Sequence, residues 1–218
     1  MSLNVRPFVA PGFGENAYIV WRSGETDAVC IDPGNAVAPM LRVLAGERLQ
    51  LAAILLTHAH LDHIEGVARL VRETHAPVYL HPADSFLYNS AARQALQFGM
   101  QIEPPPAADR SLAHGQQLTF GGVRYDVRHV PGHSPGHVLF HVADAGVAFV
   151  GDIVFQGSIG RTDLPGGDYA QLVAGIREQV LSLPDETVLY TGHGPGTTVR
   201  HERTTNPFLI PHYGGGLA

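Results

Sequence analysis

The run L-L-T-H-A-H-L-D-H sets His58, His60, Asp62 and His63 immediately after a short apolar segment. Histidine is the commonest metal ligand among side chains, and carboxylates join it in mixed nitrogen and oxygen sites. Two histidines two residues apart in extended chain project to the same side and can share one cation. Asp62 and His63 lie just beyond, in reach of a second. Three more residues occupy comparable places: His133 in P-G-H after V-R-Y-D-V-R-H-V, Asp152 in G-D after V-A-F-V, and His193 in T-G-H-G after T-V-L-Y. Four apolar segments thus each end in a loop-borne or glycine-flanked His or Asp. Ligands at the carboxyl ends of neighbouring strands can converge on one rim of an α/β fold, and glycines permit the close approach this needs.

Taken singly, each residue has a plainer reading. Asp62 could cap a helix, with Glu65 three residues on completing a capping box. His133 and His193 could be turn histidines bonded to backbone, and Asp152 could cap a turn. Seven such positions together point to a metal centre. Of the other histidines, His75, His81, His114, His201 and His212 read as surface or turn residues, His129 and His141 as strand residues. His137, in P-G-H-S-P-G-H, reads as a buttress of the loop that carries His133. Cys30, in A-V-C-I-D-P-G, reads as a small buried residue. A donor set without thiolate suits zinc, and iron or manganese would tolerate it too. No Ser or Cys triad is evident, and water activated by a bound metal would need no side-chain nucleophile.

The elements that must position these residues can be read from the apolar pattern. Strands are expected at Ala17–Trp21, Ala28–Ile31, Leu51–Leu56, Val78–Leu80, Val123–Val130, Val138–Val142, Val147–Val150 and Thr187–Tyr190. The continuously apolar A-A-I-L-L and V-A-F-V should be covered on both faces, whereas Val123, Tyr125 and Val127 alternate with polar residues. Helical spacing joins Val37, Met40, Leu41 and Leu44; then Ile64, Val67, Ala68 and Val71; then Tyr169, Leu172, Val173 and Ile176, with Asp168 as N-cap. A weaker helical stretch covers His81–Phe98 and stops at Gly99. The segment Ile102–Asp109, with three consecutive prolines, reads as a stiff connector between two halves.

With 218 residues, 44% of them hydrophobic and 16% charged, the chain should build one dense core, and residues 1–218 are expected to form one domain. Fourteen basic against twenty acidic residues give a net charge of −6, and no basic block occurs, which argues against nucleic acid as a partner. No apolar run reaches the roughly 18 residues of a membrane span, and the N-terminus does not read as a signal peptide. One cysteine excludes an internal disulfide, so the cytoplasm is the expected location. Self-association is not legible.

T-H-A-H-L-D-H, P-G-H-S-P-G-H, G-D-I-V-F-Q-G-S-I-G-R-T-D-L-P-G-G-D and T-G-H-G-P resemble the metallo-β-lactamase superfamily from about Asn16 to Pro207. Within it they most resemble short bacterial glyoxalase II-type, hydroxyacylglutathione hydrolase-like proteins. The resemblance implies an α/β four-layer αββα sandwich: two mixed β-sheets covered by helices, with a dinuclear site at one edge. It implies that His58, His60 and His133 hold one divalent ion, that Asp62, His63 and His193 hold the other, and that Asp152 bridges them. A metal-bridging hydroxide, oriented by Asp62, would then attack a small thioester of the S-lactoylglutathione kind. The larger enzymes add a C-terminal helical domain that supplies much of the glutathione pocket; this chain is expected to lack it. Arg161 matches a substrate-binding basic residue, but Asp163 stands where a tyrosine belongs. Arg161 could therefore receive a substrate carboxylate, or hold its own loop by pairing with Asp163. Two other activities are compatible with these motifs: a mononuclear iron oxidoreductase similar to persulfide dioxygenases, which resemble the chain around H-x-H-x-D-H and G-R-T-D, and a metal-binding protein without turnover.

Overall fold

A computed structural model describes residues 1–210. The first half of the chain builds a six-stranded sheet in sequence order: β1 (Leu3–Val9), β2 (Asn16–Arg22), β3 (Asp27–Ile31), β4 (Gln50–Leu55), β5 (Val78–Leu80) and β6 (Arg110–Ser111). β1, β2 and β3 pair antiparallel, and β3 to β6 pair parallel. The parallel crossovers carry α1 (Val37–Glu47), then α2 (Leu61–Ile64) with α3 (Val67–Thr74), then α4 (Ser85–Tyr88) with α5 (Ala91–Gln97). The second half adds β7 (Gln117–Phe120), β8 (Val123–His129), β9 (Val138–Val142), β10 (Val147–Gly151), a small hairpin of β11 (Val154–Phe155) and β12 (Ser158–Ile159), α6 (Tyr169–Gly175), β13 (Val188–Thr191), β14 (Thr197–Thr198) and α7 (Val199–Thr205). Its sheet runs β14-β13-β10-β9-β8-β7, antiparallel except for the parallel pair β10 and β13.

Side-chain alternation along the strands explains the layering. Ala17, Ile19, Ala28, Cys30 and Ile54 face outward and pack against Val37, Met40 and Leu44 of α1 and Val67 and Leu70 of α3. Their neighbours Tyr18, Val20, Val29, Ile31 and Leu55 face inward and meet Tyr125, Val127, Phe140 and Phe149 of the other sheet. On that sheet's far side, Leu139, Ala148, Val150 and Leu189 are covered by Leu172 of α6 and Val199 of α7. Strands buried on both faces must be apolar throughout, which is why A-A-I-L-L and V-A-F-V do not alternate. The result is the expected α/β sandwich of four layers, helix, sheet, sheet, helix. Among the described residues no helix is long and apolar enough to cross a membrane.

Several local expectations need correction. The helix expected across Ile64–Val71 is interrupted between α2 and α3 at Gly66, where a Cβ would stand 2.0 Å from the carbonyl oxygen of Gly34. No Asp62–Glu65 capping box forms: His60 is the N-cap of α2 without a side-chain cap bond, and Asp62 sits inside that helix. The stretch His81–Phe98 is a 3₁₀ turn at Pro82–Asp84 followed by the short helices α4 and α5 rather than one helix, left through Gly99 at φ 67°. The proline-rich segment does not separate the halves, because it leads into β6, which pairs with β5. The edge strands β1 and β7 escaped the pattern because both are half-exposed and β1 contains Pro7, tolerable only at an edge. Asp168 caps α6 as expected, accepting from the Gln171 N–H at 2.9 Å.

Candidate metal centre

The loop after β4 and the short helix α2 deliver His58, His60, Asp62 and His63; the β8–β9 loop delivers His133; Asp152 follows β10, and His193 follows β13. All seven reach one edge of the sandwich. His60 Nδ1 lies 2.9 Å from His133 Nε2, which lies 3.2 Å from His58 Nε2. Asp62 Oδ2 lies 3.1 Å from His193 Nε2 and 3.8 Å from His63 Nε2. Asp152 sits between the two groups. Its Oδ1 is 3.4 Å from His63 Nε2, and its Oδ2 is 3.5 Å from His133 Nε2 and 3.7 Å from His193 Nε2.

Hydrogen bonds behind the rings settle where the lone pairs point. Thr57 donates its backbone N–H and its hydroxyl to Asp32, at 2.8 and 2.6 Å, so His58 Nδ1–H must donate to the Thr57 oxygen at 3.0 Å. His63 Nδ1–H donates to Asp32 Oδ2 at 2.9 Å, and His133 Nδ1–H to the Arg161 carbonyl at 2.8 Å. The protons are thus on the outer nitrogens, and His58 Nε2 and His133 Nε2 face each other at 3.2 Å with two lone pairs and no hydrogen between them. Such a pair calls for a cation. Nitrogens held tetrahedrally at zinc-like bond lengths of about 2.0–2.1 Å would stand about 3.3 Å apart, close to what is found. On the other side, His63 Nε2 and Asp152 Oδ1 are buried without any hydrogen-bond partner. Buried donor and acceptor atoms left facing one another in this way would be costly in an apolar core, and these residues fit two neighbouring divalent ions. Two ligand-like clusters, His58–His60–His133 and Asp62–His63–His193, bring their ligand atoms within 4.8 Å of one another. A third, Asp32–His58–His63, is the supporting shell just described.

Electrostatics agree. Burial first, and then the neighbouring imidazoles, push His58 well below the usual histidine range and His60 down to about 3, so both are neutral donors. Burial opposes ionisation of Asp62 and Asp152, yet the charge of His63 and the other imidazoles outweighs it and holds both carboxyls below their ordinary value. Burial also works against a charged His63, but Asp62, Asp152 and Asp32 overcome it and raise that group. The acidic side of the site attracts positive charge.

Packing keeps these loops in place. Asp84, fully buried, accepts from the Ala59 N–H at 3.0 Å, the Ser134 hydroxyl at 2.7 Å and the Gly136 N–H at 2.5 Å, tying the His58–His60 loop to the His133 loop. Asn16 donates to the carbonyls of Thr191 and Gly194, and Tyr18 to Thr191, fixing the His193 turn. His137 stacks on His58 at 4.5 Å between centroids and accepts from the Asp152 N–H at 3.0 Å, which gives it the supporting place expected of it. A Cβ on Gly192 would stand 2.1 Å from Asp152 Oδ1, so only glycine lets this turn pass behind the carboxylate. His75, His114 and His201 lie away from the site, His129 and His141 lie in β8 and β9, and His212 is outside the described residues. Asp32, Asp84 and Asn16 were not singled out in the sequence. Asp32 had a usable signal, since C-I-D-P-G puts an aspartate at the end of an apolar strand as V-A-F-V-G-D does; Asp84 and Asn16 had none.

Over the centre lies a cavity of about 490 Å³, walled by Phe13, Leu61, Phe98, Phe155, Ile159 and Leu164, with His60, Asp62, His133, Asp152 and His193 at its floor. Phe13 and Phe98 meet edge to face at 5.1 Å. Arg161 lines the mouth, and its guanidinium is bidentate on Asp163, with both contacts at 2.7 Å. Of the two roles open to it from the sequence, the loop-holding pair is the contact made here.

The family model of the metallo-β-lactamase superfamily matches residues 10–193, and the seven residues of the centre all fall within that match. The chain belongs to the metallo-β-lactamase superfamily. Among its relatives in that superfamily, hydroxyacylglutathione hydrolase GloC of Haemophilus influenzae is 36% identical over 96% of this chain and 98% of its own. The protein TTHA1623, solved in a di-iron-bound form, is 46% identical with a TM-score of 0.87, over 94% of this chain and all of that one. The BLEG-1 B3 metallo-β-lactamase is 38% identical with a TM-score of 0.90, over 95% of this chain and all of that one. Superfamily membership together with the GloC relationship supports a metal-dependent hydrolase.

Proposed function

We propose that this protein is a dinuclear metal-dependent hydrolase of a small thioester, of the hydroxyacylglutathione hydrolase type. The observation that carries the reading is the Asp152 carboxylate, which lies between the two ligand sets, with Oδ1 3.4 Å from His63 Nε2 and Oδ2 3.5 Å from His133 Nε2 and 3.7 Å from His193 Nε2. His58, His60 and His133 would hold one ion, and Asp62, His63 and His193 the other. A bound pair of divalent ions lowers the pKa of water toward about 7 and polarises a carbonyl oxygen. The residues do the rest. Asp62, ionised and open to the cavity, accepts a hydrogen bond from the attacking water and orients it. Asp32 and the Arg161 carbonyl hold His63 and His133 in the tautomer that presents Nε2. The apolar wall takes up the substrate's carbon chain and keeps bulk water off the reacting carbon. A thiolate needs no proton to depart, and no side chain at the floor is placed to give one, so a thioester suits the site better than the amine-releasing opening of a β-lactam.

Nitrogen and oxygen donors accept zinc, and the di-iron form of TTHA1623 makes iron the second metal to consider. Elemental analysis of the purified protein, paired with thiol release from lactoyl thioesters and an oxygen-electrode trace, tests the reading. Two metal equivalents with thiol release and no oxygen uptake are expected. One iron with oxygen consumption would replace the hydrolase with an oxidoreductase, and inactivity towards thioesters with rapid β-lactam opening would replace the substrate.

A further inference from the structure

The cavity over the centre does not end at its floor. A second hollow of about 340 Å³ adjoins it and shares His60, Gln97 and Leu164 with it. This groove runs between α4 and α5 on one side and Leu164–Pro165 on the other, with the half-exposed ring of Phe86 in its wall. Each hollow is within the roughly 300–1,000 Å³ range of small-molecule pockets, and their shared walls make them two compartments of one binding region.

Two cationic side chains line this region, and they differ in what they already do. Arg161, at the mouth of the first compartment, has its fork occupied by Asp163. Arg93, in the second, hydrogen-bonds only the Ser90 hydroxyl at 2.9 Å, and among the described residues no carboxylate lies within ion-pairing distance of it. The side-chain nitrogen of Gln94 beside it donates to the carbonyls of Ala59 and Leu87, and so holds α5 against the loop that carries His58 and His60. Arg93 therefore presents a guanidinium unpaired with any carboxylate, from a helix fixed to the metal-binding loop, in the wall of a groove that His60 also lines. An arginine in that setting matches a carboxylate in a bidentate manner.

We propose that the groove from His60 past Gln97 to Arg93 is a second substrate compartment, and that Arg93 receives a carboxylate remote from the reacting carbonyl. The substrate class is then an anionic thioester, its acid group in either the thiol or the acyl part. The inference rests on the thioester reading for what is cleaved, but not for whether the groove binds an anion.

Three thioesters separate the cases: the lactoyl ester of glutathione, the lactoyl ester of neutral N-acetylcysteamine, and the succinyl ester of N-acetylcysteamine. Arg93→Gln is expected to lower the preference for an anionic over the neutral ester by about tenfold or more, through KM, with Arg93→Lys recovering part of it. Whichever acidic ester is affected identifies the side on which the carboxylate lies. Equilibrium binding of glutathione and of succinate to the metal-loaded protein gives a readout independent of turnover and should weaken in the same variant. An unchanged preference and unchanged binding in Arg93→Gln, or a loss confined to Arg161→Gln, would overturn the proposal. If the unaltered protein cleaves none of the three esters, the thioester reading fails by itself, and the binding measurement still decides the role of Arg93.

Discussion

Asp32→Asn probes the support behind the metal centre without disturbing the backbone, because asparagine tolerates the left-handed conformation that Asp32 adopts at φ 46°. The carboxylate accepts three hydrogen bonds: Thr57 N–H on Oδ1, and the Thr57 hydroxyl and His63 Nδ1–H on Oδ2. An amide has one accepting oxygen. In its better orientation it keeps the His63 and Thr57 hydroxyl bonds and turns an NH₂ toward the Thr57 N–H, leaving two buried donors face to face. An unsatisfied buried donor costs about 1–3 kcal/mol, and replacing the charged acceptor of His63 by a neutral one removes about 1 kcal/mol more. The metal-free variant should therefore be about 2–4 kcal/mol less stable in urea unfolding. Loss of the carboxylate behind His63 should also weaken metal binding by about 10–100-fold, as is usual for partners behind a metal-binding histidine. The loss should be larger for the ion held with Asp62 and His193. Competition against a chelator of known affinity measures it. Metal affinity within threefold of the unaltered protein, alongside the stability loss, would show that Asp32 only braces the fold.

Asp152→Ala should abolish thioester hydrolysis and leave at most one of the two ions tightly held; near-normal activity would contradict its place between the two sets. His81, stacked on His129 at 4.1 Å, is lowered to about 4 by burial and by that neighbour. Its folded pKa lies below the unfolded value of about 6.5, so the stability it contributes is present above pH 6.5 and is lost as pH falls toward 4. An NMR titration should find this ring still neutral at pH 5.5, and a midpoint at or above 6.5 would refute the assignment.

Much of the centre was legible because its residues sit where apolar runs end. A-I-L-L-T-H-A-H, V-A-F-V-G-D and T-V-L-Y-T-G-H are each a strand that must be buried followed at once by a polar ligand, and a strand buried on both faces has few ways to be misread. The sheets followed for the same reason. What escaped depends on contacts distant in sequence. Asp84 is separated by 50 residues from Ser134, which it binds, and nothing in H-P-A-D announces a staple between two ligand loops. The need for glycine at position 66, between α2 and α3, comes from the backbone of Gly34, again a neighbour in space only. Arg161 shows the limit in another way: its motif was plain, but the competition between Asp163 and a substrate carboxylate is decided by side-chain geometry. Arg93 carries no motif at all and becomes notable only through the groove it lines.

Anomalous diffraction from crystals of the metal-loaded protein addresses the central claim most directly. Two peaks should appear at this edge of the sandwich, one against His58, His60 and His133 and the other against Asp62, His63 and His193, with the Asp152 carboxylate between them. A single peak, or peaks that leave Asp152 without contact to either ion, would contradict it.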